Sequence, residues 1–161
     1  MTKANTRAKG TLPITYTNRK GVTYFLCRGT TKTGQLRYFF ARQPKGELMD
    51  SVPAGYQIEE SVNGVVSLVK ERSPLIAPEE TAAAGAVLRL HPEAGNYRLA
   101  VQRNQIVVFE RQGPDLETLN TIFAESGALP QNATEHLERS AQFTPILRFV
   151  LQDAEQREFT A

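Results

Sequence analysis

The residues best suited to chemistry lie in two short stretches, Val22 to Arg28 and Leu36 to Arg42. With the two-residue period of a β-strand, the first places Val22, Tyr24, Leu26 and Arg28 on one face and Thr23, Phe25 and Cys27 on the other. The second places Leu36, Tyr38, Phe40 and Arg42 opposite Arg37, Phe39 and Ala41. A sheet buried on one side needs only one aromatic face, so the second face either packs against the rest of the chain or is free to stack on bases. Rings interleaved with guanidiniums suit that task, because the rings stack while the cations hold phosphates. The expected contact set is Arg19, Lys20, Tyr24, Arg28, Lys32, Arg37, Tyr38 and Arg42. The plainer alternative makes the rings core and the cations a solvated face.

Charge gives the same region its second distinction. Residues 1–46 hold ten Lys and Arg and no Asp or Glu, whereas the remaining residues hold nine Lys and Arg against 17 Asp and Glu, a net of −8. The overall charge of +2 conceals this split. Clustered cations attract polyanions and release their counterions on binding, so DNA or RNA is an expected partner of residues 1–46. An acidic protein surface, including the acidic part of another copy of the chain, is the alternative.

Other chemistries find little footing. Cys27 is the single cysteine, which excludes an intramolecular disulfide and every cysteine-based zinc pattern. Its place in an apolar alternating strand reads as a small buried hydrophobe rather than a nucleophile. His91 and His136 are separated by 45 positions without local partners, so neither a metal nor a cofactor is expected. In the doublets Glu59-Glu60 and Glu79-Glu80, neighbours diverge on a strand or a helix and form no ready acid/base pair. Glycine-rich phosphate loops, nucleophile elbows and His-Glu-x-x-His are absent, and no catalytic residue is proposed. Lys20-Gly21-Val22-Thr23-Tyr24-Phe25 fails as a ribonucleoprotein strand because its aromatic spacing is wrong. No apolar run reaches the roughly 20 residues of a membrane span, and Met1 to Gly10 has no apolar stretch behind its basic residues, so the expected address is cytoplasmic.

The elements that must position these side chains follow from periodicity and punctuation. Leu12 to Asn18, Val22 to Arg28 and Leu36 to Arg42 read as three strands of a β-meander, separated by Gly21, Gly29 and Gly34. Gln43 to Ala54 is expected to be a loop. Tyr56 to Val62 and Val65 to Lys70 flank Asn63-Gly64, which predicts a hairpin with a type I′ turn. Pro78 with Glu79-Glu80 opens a helix to about Leu90. Tyr97 to Val101 and Ile106 to Glu110 form a second hairpin around Arg103-Asn104. A helix from Pro114 carries Leu116, Leu119, Ile122 and Phe123 and ends at Gly127. Asn132 and Glu135 suggest a capping box for a short helix to about Ala141. Ile146 to Gln152 is a strand, and Arg157 to Thr160 a short return strand that another chain is expected to complete.

The class is therefore α+β: an antiparallel β-meander and hairpin unit, followed by an α+β unit with two or three short helices. The expected organisation is a flexible basic arm at 1–11, a basic β-rich unit at 12–72 and an acidic α+β unit at 73–161. The function expected of it is that of a non-catalytic nucleic-acid-associated protein using the meander as its contact surface. A protein-interaction or self-assembly module, with a basic face meeting an acidic one, is the second expectation.

Overall fold

The computed structural model of the chain describes residues 12–114, 116–124 and 132–161. The expected arm at 1–11 and the helix stop at Gly127 lie outside the described residues. The architecture is α+β, with antiparallel sheets and, among the described residues, three α-helices. No helix among the described residues is long and apolar enough to cross a membrane.

The first sheet is organised around β2 (Thr23–Thr30), whose aromatic and aliphatic residues favour the pleated conformation. Strand β3 (Leu36–Ala41) runs along one edge, with Leu26 opposite Phe40 and Arg28 opposite Tyr38. The other edge is shared end to end by β1 (Thr15–Thr17) and β4 (Glu47–Leu48). This β4 corrects the expectation of a plain loop over 43–54. Gly46 takes φ +80°, and a Cβ there would stand 2.6 Å from the Arg28 carbonyl oxygen. Only glycine lets the chain come so close, and that approach pairs Glu47 with Arg28 and Leu48 with Cys27.

Strands β5 (Tyr56–Glu60) and β6 (Val66–Lys70) form the expected hairpin, but its turn is not type I′. That turn needs positive φ at both central residues, and in this loop only Gly64 has it. The loop instead closes through Gly64 N–H to Ser61 O at 2.8 Å and Ser61 N–H to Val65 O at 2.9 Å. This leaves the Asn63 side chain free for a distant strand.

Helix α1 (Pro78–Arg89) begins as its sequence suggests, with Pro78 at the first position and the Glu80 carboxylate accepting from the Ala77 N–H at 2.8 Å. A second hairpin joins β7 (Tyr97–Gln102) to β8 (Gln105–Gln112). Helices α2 (Leu116–Phe123) and α3 (Ala133–Ser140) precede β9 (Gln142–Asp153), and β10 (Glu158–Thr160) closes a sheet of order β10-β9-β8-β7. Two expectations change here. Asn132 makes no side-chain cap, and Glu135 pairs forward with Arg139 at 2.5 Å instead of reaching back. Strand β9 also begins before Pro145. Proline is accommodated because β10 pairs only with Val150, Leu151 and Asp153, so the outer side of β9 near Pro145 carries no strand; a register shift at Val108/Phe109 takes up Ile146.

Packing on this sheet centres on Ile76, Ile106 and Leu151, with Ala84, Leu99, Phe149 and Phe159 around them. No α1 side chain is fully buried. Polar tethers therefore carry much of its attachment: Arg157 donates through Nε to Glu80 at 2.8 Å and through a second nitrogen to the other carboxylate oxygen, and it also reaches the Leu75 carbonyl at 3.1 Å.

The β5–β6 hairpin, a two-stranded sheet of its own, joins the two four-stranded sheets through side chains acting as backbone substitutes. Asn63 offers Phe143 both halves of a strand pairing, its Oδ1 accepting from the Phe143 N–H at 2.8 Å and its Nδ2 donating to the Phe143 carbonyl at 2.9 Å. Buried Asn18 accepts from the Val22 N–H at 2.9 Å and donates to the Gly64 carbonyl at 2.6 Å. Unsatisfied buried polar groups are costly, so losing Asn63 leaves Phe143 without either partner.

Two outcomes follow from these contacts. Asn63→Ala lowers the free energy of unfolding by about 1–3 kcal/mol, read from chemical denaturation, and Asn63→Asp, which keeps the acceptor, loses less. The Arg157 guanidinium and the Ala77 N–H hold the Glu80 carboxyl below the usual carboxylate range. Its stabilisation is therefore present above that range and lost as pH falls through it. Glu80→Gln should lower stability at neutral pH and flatten the acid limb below roughly pH 5.

Candidate nucleic-acid interface

The meander's two aromatic faces have different fates. Tyr16, Tyr24, Leu26, Arg28, Tyr38 and Phe40 share one face by register. It turns toward the β5–β6 hairpin: Tyr16 donates to Glu60 at 2.8 Å, and Tyr38 meets Tyr56 edge-on at 5.8 Å between centroids. The bond to Glu60 is the main cause that raises the Tyr16 phenol. On the opposite face Cys27 lies between its cross-strand neighbours Phe39 and Leu48 and is 0% exposed. Its thiol contacts the Phe25 carbonyl at 3.5 Å.

The eight expected contact residues divide accordingly. Arg19 is committed to the joint between the sheets, its Nε donating to Val62 O at 2.7 Å and its two terminal nitrogens to Glu138 O at 2.9 Å and Ala141 O at 2.7 Å. Burial lowers its pKa; Arg98 and Arg111 act the same way, against Glu60 and Glu138. Arg28 donates to one Glu47 oxygen through Nε at 2.9 Å and through a terminal nitrogen at 2.5 Å. Lys20 is half-buried, its stem close to Gly64. Tyr24 and Tyr38 are half-buried rings.

Lys32, Arg37 and Arg42 are exposed, one in the turn before β3, one on it and one just past its end, with Arg37 and Arg42 on opposite faces by strand period. Lys32 sits in the β2–β3 turn, which closes by Thr31 N–H to Gln35 O and Gly34 N–H to Thr31 O. Arg37 lies on β3 with its guanidinium 4.8 Å from the Phe39 ring centroid, and Arg42 follows the strand's last residue. β3 is the edge of its sheet. Among the described residues, none of these three cations, nor Lys20, forms an ion pair within 4.0 Å.

The remaining sequence candidates are dispersed. His91 packs edge-on against Tyr97 at 5.0 Å and accepts from the Glu93 N–H through Nδ1 at 3.2 Å, while His136 is exposed on α3. Glu60 serves the joint, accepting from Tyr16 and from the Arg19 N–H. No group of three or more potential metal ligands occurs among the described residues.

Sequence reading missed an apolar groove of about 630 Å³ between α1 and the second sheet, lined by Val87, Leu88, Leu99, Ile146, Leu147 and Phe149 among others. The shallow apolar face of α1 was its one signal, since a helix of small residues cannot fill the sheet's concavity. Comparison of the chain with protein-family models, curated proteins and solved structures returns no match.

Proposed function

We propose that this chain is a non-catalytic nucleic-acid-associated protein whose contact surface is the outer rim of the first sheet, with Lys32, Arg37 and Arg42 holding phosphates. The observation that carries this reading is the set of three exposed cations on an edge strand and its turn, with no acidic partner among the described residues. Unlike Arg19 and Arg28, they have no hydrogen-bond acceptor among the described residues to give up on binding. Tyr24 lies on β2 and Lys20 in the turn before it, where a backbone following the sheet would meet them.

Half-burial of Tyr24 and Tyr38 limits base stacking. Binding then rests on phosphate contacts, which position a strand but carry no sequence information. It is weakly discriminating and strongly salt-dependent. Self-association through the same rim is the second reading, favoured by the unpaired edge of β3. It requires mass to rise with concentration in the absence of nucleic acid.

Binding to a short duplex, followed by fluorescence anisotropy, should show a slope of log K against log salt of about −3 for three phosphate contacts. Arg37→Glu and Arg42→Glu should each weaken binding on every sequence tested and reduce the slope by about 1. Arg28→Ala should change neither by much. A slope near zero, or equal affinity in the Arg37→Glu, Arg42→Glu double variant, rejects the reading.

A further inference from the structure

We infer that the three guanidiniums around Phe143 form a second anion site, shaped for a phosphate dianion and held closed by the Glu138 carboxylate. Arg19, Arg98 and Arg111 approach the Phe143 ring to within 5.4, 5.2 and 5.8 Å of its centroid. They come from β7, β8 and the turn before β2, so three elements of the fold converge on one ring. Glu138 on α3 already occupies the position of an anion: Arg98 donates to Oε2 at 3.3 Å and Arg111 to Oε1.

The carboxylate is poorly matched to what holds it. The Arg111 side chain is 7% exposed, so its charge is costly to leave without an anion, whereas Glu138 is 50% exposed and loses little by swinging into solvent. The Glu138 carboxylate bonds Arg98 and Arg111, whereas Arg19 reaches only the Glu138 main-chain carbonyl, and Glu60 is engaged by Tyr16 and the Arg19 main chain. Arg19, whose pKa is lowered chiefly by burial, is pushed further the same way by Arg98 and Arg111. A phosphate dianion brings more charge and more acceptor oxygens to the same forks than a carboxylate does.

Glu138 also lines two cavities. One, of about 330 Å³, is walled by Arg19, Arg98, Glu135, Arg139 and Phe143, and the Glu135–Arg139 pair is internally neutral. The other, of about 260 Å³, carries Glu93 and Glu117 beside Arg111. The acidic wall of the second directs an anion to enter by the first. Either cavity is too small for a nucleic-acid duplex, which separates this site from the β3 rim.

The test is titration of the full chain with inorganic phosphate, at constant ionic strength against a chloride control, by calorimetry and by the Phe143 amide resonance. Glu138→Gln, which removes the competing charge, should tighten binding about tenfold, and Arg98→Ala should weaken it about tenfold. Arg111→Lys serves as the second cation variant should Arg111→Ala unfold. Phenyl phosphate distinguishes the source: binding at least as tight assigns the site to a phosphomonoester, weaker binding to the free ion, and both support the site. No saturable binding to Glu138→Gln, or equal affinity in Glu138→Gln and Arg98→Ala, overturns it.

Discussion

Phe143 is the residue around which the two halves of this chain are assembled. Its main-chain N–H and carbonyl are satisfied by the Asn63 side chain, and its buried ring lies under three guanidiniums. One of them, Arg19, reaches across 119 and 122 positions of sequence to the carbonyls of Glu138 and Ala141. Those carbonyls lie at the carboxyl end of α3, where unsatisfied C=O groups and the helix dipole favour a cation. A basic turn from one half thus completes a helix end in the other, and the hairpin turn at Asn63-Gly64 supplies the strand edge between them.

This arrangement reassigns the charge polarity of the sequence. The basic amino-terminal stretch is partly neutralised by acids that follow it, Arg28 by its ion pair with Glu47 and the Arg19 guanidinium by the nearby charges of Glu60 and Glu138. Among the described residues of this stretch, Lys20, Lys32, Arg37, Arg42 and Lys45 form no ion pair, and of these Lys32, Arg37 and Arg42 lie on β3 or at its ends. Position in the sheet therefore sorts the cations that charge alone makes equivalent: those at the inner edge or in the joint are structural, and those on β3 and its turn face outward. The aromatic residues sort by the same rule, since one face of the meander packs toward the β5–β6 hairpin while the other encloses Cys27.

Local pattern made much of the fold legible. Alternation in Thr23–Thr30, Leu36–Ala41, Tyr97–Gln102 and Gln105–Gln112 marks strands whose partners are close in sequence, and Pro78 with Glu80 marks the start of α1. What stayed hidden depends on distant contacts. Two residues of β4 are too few to show a period, and they pair because of the space that Gly46 opens against Arg28. The turn type at Asn63 was obscured because its side chain serves a strand 80 positions away. The roles of Arg19 and Arg28 were hidden for the same reason: an arginine destined for a carbonyl or carboxylate across the fold has the same local surroundings as one destined for a phosphate.

On the reading we propose, the outward rim of β3, and not the joint, meets nucleic acid. Amide chemical-shift mapping with a duplex bearing unphosphorylated ends tests it most directly. Binding at the rim confines the shifts to Thr31–Arg42 and its neighbours on β2 and leaves the amides of Arg19, Asn63 and Phe143 unmoved. Shifts centred on those three residues, or none at saturating duplex, would contradict it.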